Sequence, residues 1–363
     1  MAANEPQTGP ATRAGIVQIA EQLGVSPSTV SRALRPGTAH LVREDRRKEI
    51  LALAETLRFS PNPGARMIRK GVNTSLTVVV PHDENIFFSE YYGRFLSGVL
   101  HAAAARSWDV RISTNRRVSG RSFRESLLHL ALDSSGLIYL GEPLTEEELL
   151  SLRGYRRPLV LTKSALPAAV DAATLGLPVV GVDNLAGAKA AASLLLQLGH
   201  RQIALVLGPG GSRDADERRQ GYLAVLSEAG VLPPPEWSYS GHFSHETGRE
   251  AITHILQKSG RRPTALCCAS DEIAFGAIDA ARALGVACPE DLSVVGFDDG
   301  PWATVSRPRL TTVRQPLADL AERAVGLIVE AASNPGIVPR SMHTAVPAAL
   351  VMRESTLSCA RAS

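Results

Sequence analysis

Sulfur-bearing and aromatic residues are scarce in this chain: four cysteines, four methionines and three tryptophans among 363 residues, with aromatics at 5%. The cysteines (Cys267, Cys268, Cys288, Cys359) have no Cys-x-x-Cys spacing, which argues against a zinc ribbon or a disulfide framework. Cys267-Cys268 inside an apolar run reads as a pair of buried thiols in a reducing compartment. Long hydrophobic runs are also missing. No stretch reaches the roughly 18 apolar residues that span a bilayer, and the N-terminal segment lacks the apolar core of a signal peptide, so a cytoplasmic location without a membrane partner is expected. Catalytic signatures are missing too: there is no His-Glu-x-x-His and no Gly-x-Ser-x-Gly. Gly208-Pro209-Gly210-Gly211 lacks the Lys-Ser/Thr ending of a phosphate-binding loop. The expectation is therefore no catalytic residue, no metal and no cofactor.

What is present is ordinary globular material, 44% hydrophobic and 21% charged, long enough for two or three compact units. The net charge of +3 hides an asymmetry. Residues 1–71 hold eleven Lys/Arg against six Asp/Glu, whereas the rest hold 28 against 30. A basic head on a near-neutral body suits a polyanionic partner for the head alone. The head reads as short helices: Ile16, Ile19, Ala20 and Leu23 fall at helical spacing, Gly24 interrupts, Ser26-Pro27 opens a second helix, and a third runs over Glu44–Leu57. From Leu76 onward apolar strands alternate with amphipathic helices. The strands are expected at Leu76–Val80, Val110–Ser113, Leu137–Tyr139, Leu159–Leu161, Val179–Val182, Ile203–Leu207, Ala265–Ala269 and Leu292–Gly296. That alternation predicts doubly wound parallel sheets, and the strand number predicts two lobes.

The segment Ile19 to Arg32 compresses a helix, a glycine turn and a second helix into minimal length, the pattern of a helix-turn-helix that reads double-stranded DNA. Val25 and Val30 face the first helix, which leaves Pro27, Ser28, Ser31 and Arg32 pointing outward. Arg32 can pair bidentately with guanine, and Ser26, Thr29 and Ser31 suit phosphate oxygens. The alternative is a structural hairpin, against which the surrounding basic charge argues.

Val25-Ser26-Pro27-Ser28-Thr29-Val30-Ser31-Arg32-Ala33-Leu34, with Phe59-Ser60-Pro61-Asn62 after a third helix, resembles the LacI/GalR (lactose-repressor/galactose-repressor) family of bacterial regulators. The resemblance runs from Gly15 to Met352 and takes in Asp183-Asn184, Gly199-His200-Arg201, Arg218-x-x-Gly221-Tyr222, Ser270-Asp271-Glu272, Val295 to Asp299 and Pro308 to Gln315. It implies an all-α helix-turn-helix head with a hinge helix, followed by an α/β periplasmic-binding-protein-like body of two doubly wound parallel-sheet lobes. It also implies a homodimeric repressor that reads a near-palindromic operator under the control of a sugar-like effector. The expected divisions are a disordered tail at 1–14, the head at 15–60, the hinge at 61–73, the body at 74–355 and a C-terminal tail at 356–363. Within the body, the N-lobe is expected at about 74–182 and 315–342, and the C-lobe at about 183–314 and 343–355. Asn62, Ala65, Arg66 and Ile68 are the hinge's candidate DNA contacts. Ile68 either wedges into the minor groove or makes a small contact to the body. The head departs from the family pattern at Gly15 and Arg43, where threonine and serine usually cap helices.

Ligands of open α/β sheets bind beyond the carboxyl ends of the strands, so the residues there are the candidate effector site. Phe87 and Phe88 follow the first strand and either stack on a ligand ring or pack in the core. Lys163 either faces the cleft, where it suits an anionic effector, or is solvated. Arg218 stands where the family grips effector oxygens, with a plain surface arginine as the alternative. Ser270 and Asp271 either contact ligand or cap the next helix. Asp298 either accepts from two hydroxyls or serves a turn. Two rival readings are an exported solute-binding protein and an enzyme of similar body fold. The first needs an export signal and the second a catalytic constellation.

Overall fold

The computed structural model describes residues 15–34, 36–57, 59, 73–82, 86–87, 89–114, 122–167, 169–258, 262–334 and 343–359, and the chain divides into two units at 72/73. The expected tail at 1–14, the hinge up to residue 72 with Asn62, Ala65, Arg66 and Ile68, and also Phe88, lie outside the described residues. Among the described residues no helix is long and apolar enough to cross a membrane.

The head is built from α1 (Ile16–Leu23), α2 (Pro27–Ala33), a 3-10 turn (Pro36–Leu41) and α3 (Glu44–Thr56). Gly24, at φ +60°, ends α1 in the left-handed region, and its N–H returns to the Ala20 and Glu21 carbonyls. The chain thus turns within two residues into Ser26, whose hydroxyl accepts from the Thr29 amide and caps α2, with Pro27 at the first helical position. Ile19, Ala20, Val30, Ala33, Ile50 and Ala54 form the buried core. Neither Gly15 nor Arg43 makes a side-chain cap, so α1 and α3 start with unanswered amides; α3 carries Glu44 and Asp45 in its first turn instead.

The body holds two six-stranded sheets. Strands β1 (Ser75–Val80), β2 (Asp109–Thr114), β3 (Gly136–Tyr139), β4 (Leu159–Thr162), β5 (Val179–Val182) and β11 (His343–Val346) form the N-lobe sheet in the order β11-β5-β4-β3-β1-β2, all parallel. Strands β6 (Ile203–Leu207), β7 (Ser238–Ser240), β8 (Ala265–Cys268), β9 (Ser293–Asp298), β10 (Thr311–Arg314) and β12 (Ala349–Val351) form the C-lobe sheet in the order β12-β10-β9-β8-β6-β7, with β12 alone antiparallel. Central strands bury both faces. In β1, Leu76, Val78 and Val80 enter one core and Val79 the opposite one; in β8, Cys268 and Cys267 do the same. Continuous apolar runs rather than alternation follow from this two-sided burial.

Two of the expected boundaries need correction. His343–Val346 pair with β5 at the edge of the N-lobe sheet, so the last crossing lies between Val346 and Ala349 rather than at 342/343. The expected C-terminal tail begins too early. Thr356 is buried, the Leu357 amide bonds to Ser293 Oγ at 3.0 Å, and the Cys359 amide bonds to the Leu198 carbonyl at 2.7 Å, so residues 356–359 are packed on the C-lobe.

Candidate functional site

Two candidate sites occupy the two units. In the head, α1, α3 and the 3-10 turn all pack on α2, which narrows its exposed strip to Pro27, Ser28 and Arg32. Ser31 corrects an expectation: it is buried, because the 3-10 turn and its neighbours cover the side of α2 that the two-helix pattern alone leaves open. Ser26 is exposed yet occupied, its hydroxyl lying 2.7 Å from Ser28 Oγ and 2.9 Å from Thr29 Oγ1 as well as capping the helix. The three hydroxyls form one polar cluster at the start of α2, where helix amides and a phosphate oxygen meet most easily.

In the body, a cavity of about 480 Å³ opens between the lobes, beyond the carboxyl ends of both sheets. Its N-lobe wall comes from the start of α4 (Glu90–Ala104), with Glu90, Tyr91 and Tyr92, and from the turns after β3 and β4. Its C-lobe wall comes from α8 (Arg213–Glu228), from the turns after β6, β7 and β8, and from Asp298 at the end of β9. The crossover residue Gln315 completes it.

Arg218 is the centre of the C-lobe wall, and at 3% exposure it is no surface arginine. The motif around it explains its placement. Gly221, one turn on, brings α8 so close to the preceding helix that a Cβ there would lie 2.6 Å from the Leu185 carbonyl oxygen, and Tyr222 donates to the Cys268 carbonyl at 3.0 Å. The helix is thereby fixed with Arg218 aimed across the strand ends. Its Nε donates to Asn184 Oδ1 at 3.0 Å, Nη1 donates to the Ala269 carbonyl at 2.5 Å and stands 3.6 Å from Asp298 Oδ1, and the guanidinium lies 3.9 Å from the Phe297 ring centroid. Asn184 in turn donates to Asp214 Oδ1 at 2.8 Å, and Gln315 Nε2 donates to Asp298 Oδ1 at 2.5 Å. One polar chain, Asp214–Asn184–Arg218–Asp298–Gln315, therefore runs along the cavity.

Asp298 and Asp299 both hold positive φ, 132° and 54°; the first is a conformation that L-residues adopt only when the surroundings impose it, the second the left-handed region that aspartate enters more readily. Arg314 and Arg353 clamp Asp299 at 2.6 and 2.5 Å. Although burial raises the Asp299 carboxyl, those two arginines outweigh it and hold it below the usual range. Burial raises the Asp298 carboxyl, with Arg218 and Gln315 working against that rise. Asp271 accepts from Thr312 Oγ1 at 2.5 Å and from the Gly300 amide at 3.0 Å; burial and the neighbouring Asp298 push its carboxyl up to about 7. Ser270 lines the cavity, and its hydroxyl caps α10 (Asp271–Ala283) at the Ile273 amide.

Two expected contacts are corrected. Phe87 is 65% exposed and does not line the cavity, because its neighbour Ile86 takes the place in the N-lobe core and turns Phe87 outward. Lys163 is neither solvated nor in the cavity wall: it is buried and donates to Glu217 Oε2 at 2.7 Å, a bond between the lobes that Arg213 shares through Glu217 Oε1 at 3.1 Å. Glu90, Tyr91, Asp214, Phe243, Glu272 and Gln315 belong to the wall and were not expected there. Gln315 was within reach of sequence reasoning, since it closes the Pro308–Gln315 motif.

Comparison with known proteins finds matches in both units. Residues 15–62 match the sequence pattern described as "Bacterial regulatory proteins, lacI family", and residues 192–356 match the "Periplasmic binding protein-like domain". The HTH-type transcriptional regulator GalS of Salmonella typhimurium (strain LT2) is 30% identical over 319 residues, spanning 88% of this chain and 90% of GalS.

The chain belongs to the LacI family.

The HTH-type transcriptional repressor CytR of Escherichia coli (strain K12) is 29% identical over 321 residues, 88% of this chain and 90% of CytR. The lac repressor dimer bound to operator and the anti-inducer ONPF superposes with a TM-score of 0.77 at 23% identity, over 95% of this chain and 100% of that one. The transcriptional regulator CelR in complex with cellobiose superposes at 0.66 with 26% identity, over 94% and 100%. This LacI-family chain is accordingly a DNA-binding transcriptional regulator with a helix-turn-helix head and a periplasmic-binding-protein-like body.

Proposed function

We propose that this regulator acts in the cytoplasm as a homodimeric repressor, with two heads reading the halves of a near-palindromic operator and a small polar metabolite in the interlobe cavity setting operator affinity. The observation that carries the reading is Arg218, a buried cation at the wall of a cavity between two lobes, joined by hydrogen bonds and charge to Asn184 and Asp298. In the head, Arg32, Pro27 and Ser28 meet the major groove, with Ser26 and Thr29 turned to phosphate. Hinge residues Asn62, Ala65, Arg66 and Ile68 complete the contact in the minor groove. In the body, Arg218, Asp298, Ser270 and Asp271 take the ligand from the C-lobe, and the start of α4 takes it from the N-lobe.

Control follows from the geometry of the cleft. Arg94 donates to the Asp298 carbonyl at 3.0 Å and Lys163 reaches Glu217, so the two walls are already tied across the cavity. A ligand that bonds both walls favours one lobe arrangement over another only by the difference in its contacts with the two. The N-lobe begins at the hinge, so such a difference is transmitted to the heads. The test lies in the head: Arg32→Ala weakens specific operator binding by about 1–3 kcal/mol and relaxes preference at one base position. An unchanged base preference at every position, measured by competition among single-base operator variants, removes Arg32 from direct readout.

A further inference from the structure

The atoms that the cavity offers point to the charge of its ligand. Its described wall presents the carboxylates of Glu90, Asp214, Asp271, Glu272 and Asp298 against a single guanidinium, Arg218. Arg218 is matched by Asp298 at 3.6 Å and held by two hydrogen bonds. The neighbouring cations are also engaged: Lys163 and Arg213 with Glu217, and Arg94 with the Asp298 carbonyl.

An independent observation comes from Gln315, which is 2% exposed and lines the same cavity. Its amide orientation is fixed, because only the NH2 group can donate to Asp298 Oδ1. That leaves Oε1 buried without a hydrogen-bond partner, an acceptor that awaits a donor. Burial raises the Glu90, Asp214 and Glu272 carboxyls above their usual range, with Asp298 adding to the rise at Glu90 and Glu272 and Arg218 opposing it at Asp214. Tyr91, Tyr92 and Phe243 add ring faces, which attract cations and cover apolar rings.

Resting on the reading of this cleft as the effector site, we propose that its ligand is a donor-rich cation, a protonated amine carried on a hydroxylated or ring-bearing body, and that phosphorylated and carboxylated molecules are rejected. The ammonium sits among Glu90, Asp214 and Glu272, and one N–H or O–H of the ligand satisfies Gln315 Oε1. An anion would face unmatched carboxylates with no free cation in the described wall.

Full-length protein is titrated calorimetrically, at millimolar ligand, with two sets that share a skeleton and differ in charge: glucosamine, glucose and glucose 6-phosphate, then ethanolamine, ethylene glycol and glycolate. The amine is expected to bind tightest in each set. Its affinity is expected to fall roughly tenfold in Glu272→Gln and in Asp214→Asn, the loss of one charge-assisted hydrogen bond, and to hold in Glu228→Gln, a carboxylate on the exposed end of α8. A neutral or anionic member that binds as tightly as its amine overturns the proposal, as does the absence of binding by both amines. The two readings separate through operator affinity measured alongside. A neutral or anionic ligand that binds as tightly as its amine and shifts operator affinity sinks the charge assignment and leaves the regulator. Amine binding that operator affinity ignores sinks the effector reading and leaves the charge assignment.

Discussion

A guanidinium held between the Phe243 and Phe297 rings at 3% exposure needs its charge answered, and Asp298 answers it. The dependence runs both ways, because Asp298 sits in a conformation that its neighbours impose. Arg218→Ala should therefore do two things: abolish the effector response, and destabilise the body by about 1–3 kcal/mol by stranding a partly buried carboxylate. Equilibrium denaturation checks the second; wild-type stability would mean that Asp298 finds relief elsewhere. Asp271 makes a pH prediction. Its carboxyl lies at about 7 in the folded protein against 3.8 ordinarily, so folding takes up a proton between those values, and this group's contribution to stability falls as pH rises across that window. In Asp271→Asn that falling limb should flatten, since the amide can still accept from the Gly300 amide and donate to Thr312; an unchanged stability profile would assign the limb to another group.

At the scale of elements, the caps are the weak points of the head. Ser26 caps α2, whereas Arg43 leaves the first amides of α3 without a side-chain acceptor. Arg43→Ser should add about 0.5–1 kcal/mol to α3, read as slower amide exchange at Ile50 in the full chain. Exchange that stays the same would mean that Glu44 and Asp45 already supply the missing interaction. The elements also show what was legible in sequence. Central strands such as β1 and β8 announce themselves because both faces are buried and most positions are apolar. Edge strands β7, with Ser238-Tyr239-Ser240, and β11 did not, since an edge need not be apolar. Arg218, Ser270, Asp271 and Asp298 were legible through their motifs and their places after strands. Glu90, Asp214 and Glu272 were not: acidic residues in a first helical turn look like ordinary answers to the helix dipole, and only the facing of two lobes turns them into one wall. Ser31 and Lys163 were misread for a related reason, since a turn and an opposite lobe bury them.

For the whole molecule, two units with different surfaces divide the work: a head with a basic residue on its exposed helical strip, and a body whose cavity is acidic. The cavity lies where the chain passes between lobes: Asn184 follows the first crossing and Gln315 stands at the second. A ligand touching those crossings bears on the lobe arrangement directly, and this is the physical basis for coupling it to the operator. The central claim, that the chain reads DNA as a dimer, is tested most directly by selecting bound duplexes from a random pool with full-length protein and measuring affinity for the winner against salt. The account predicts a near-palindrome with a central pyrimidine–purine step and an affinity that falls steeply as salt rises. A single unrepeated half-site, or no enriched sequence with or without the amines above, would contradict it.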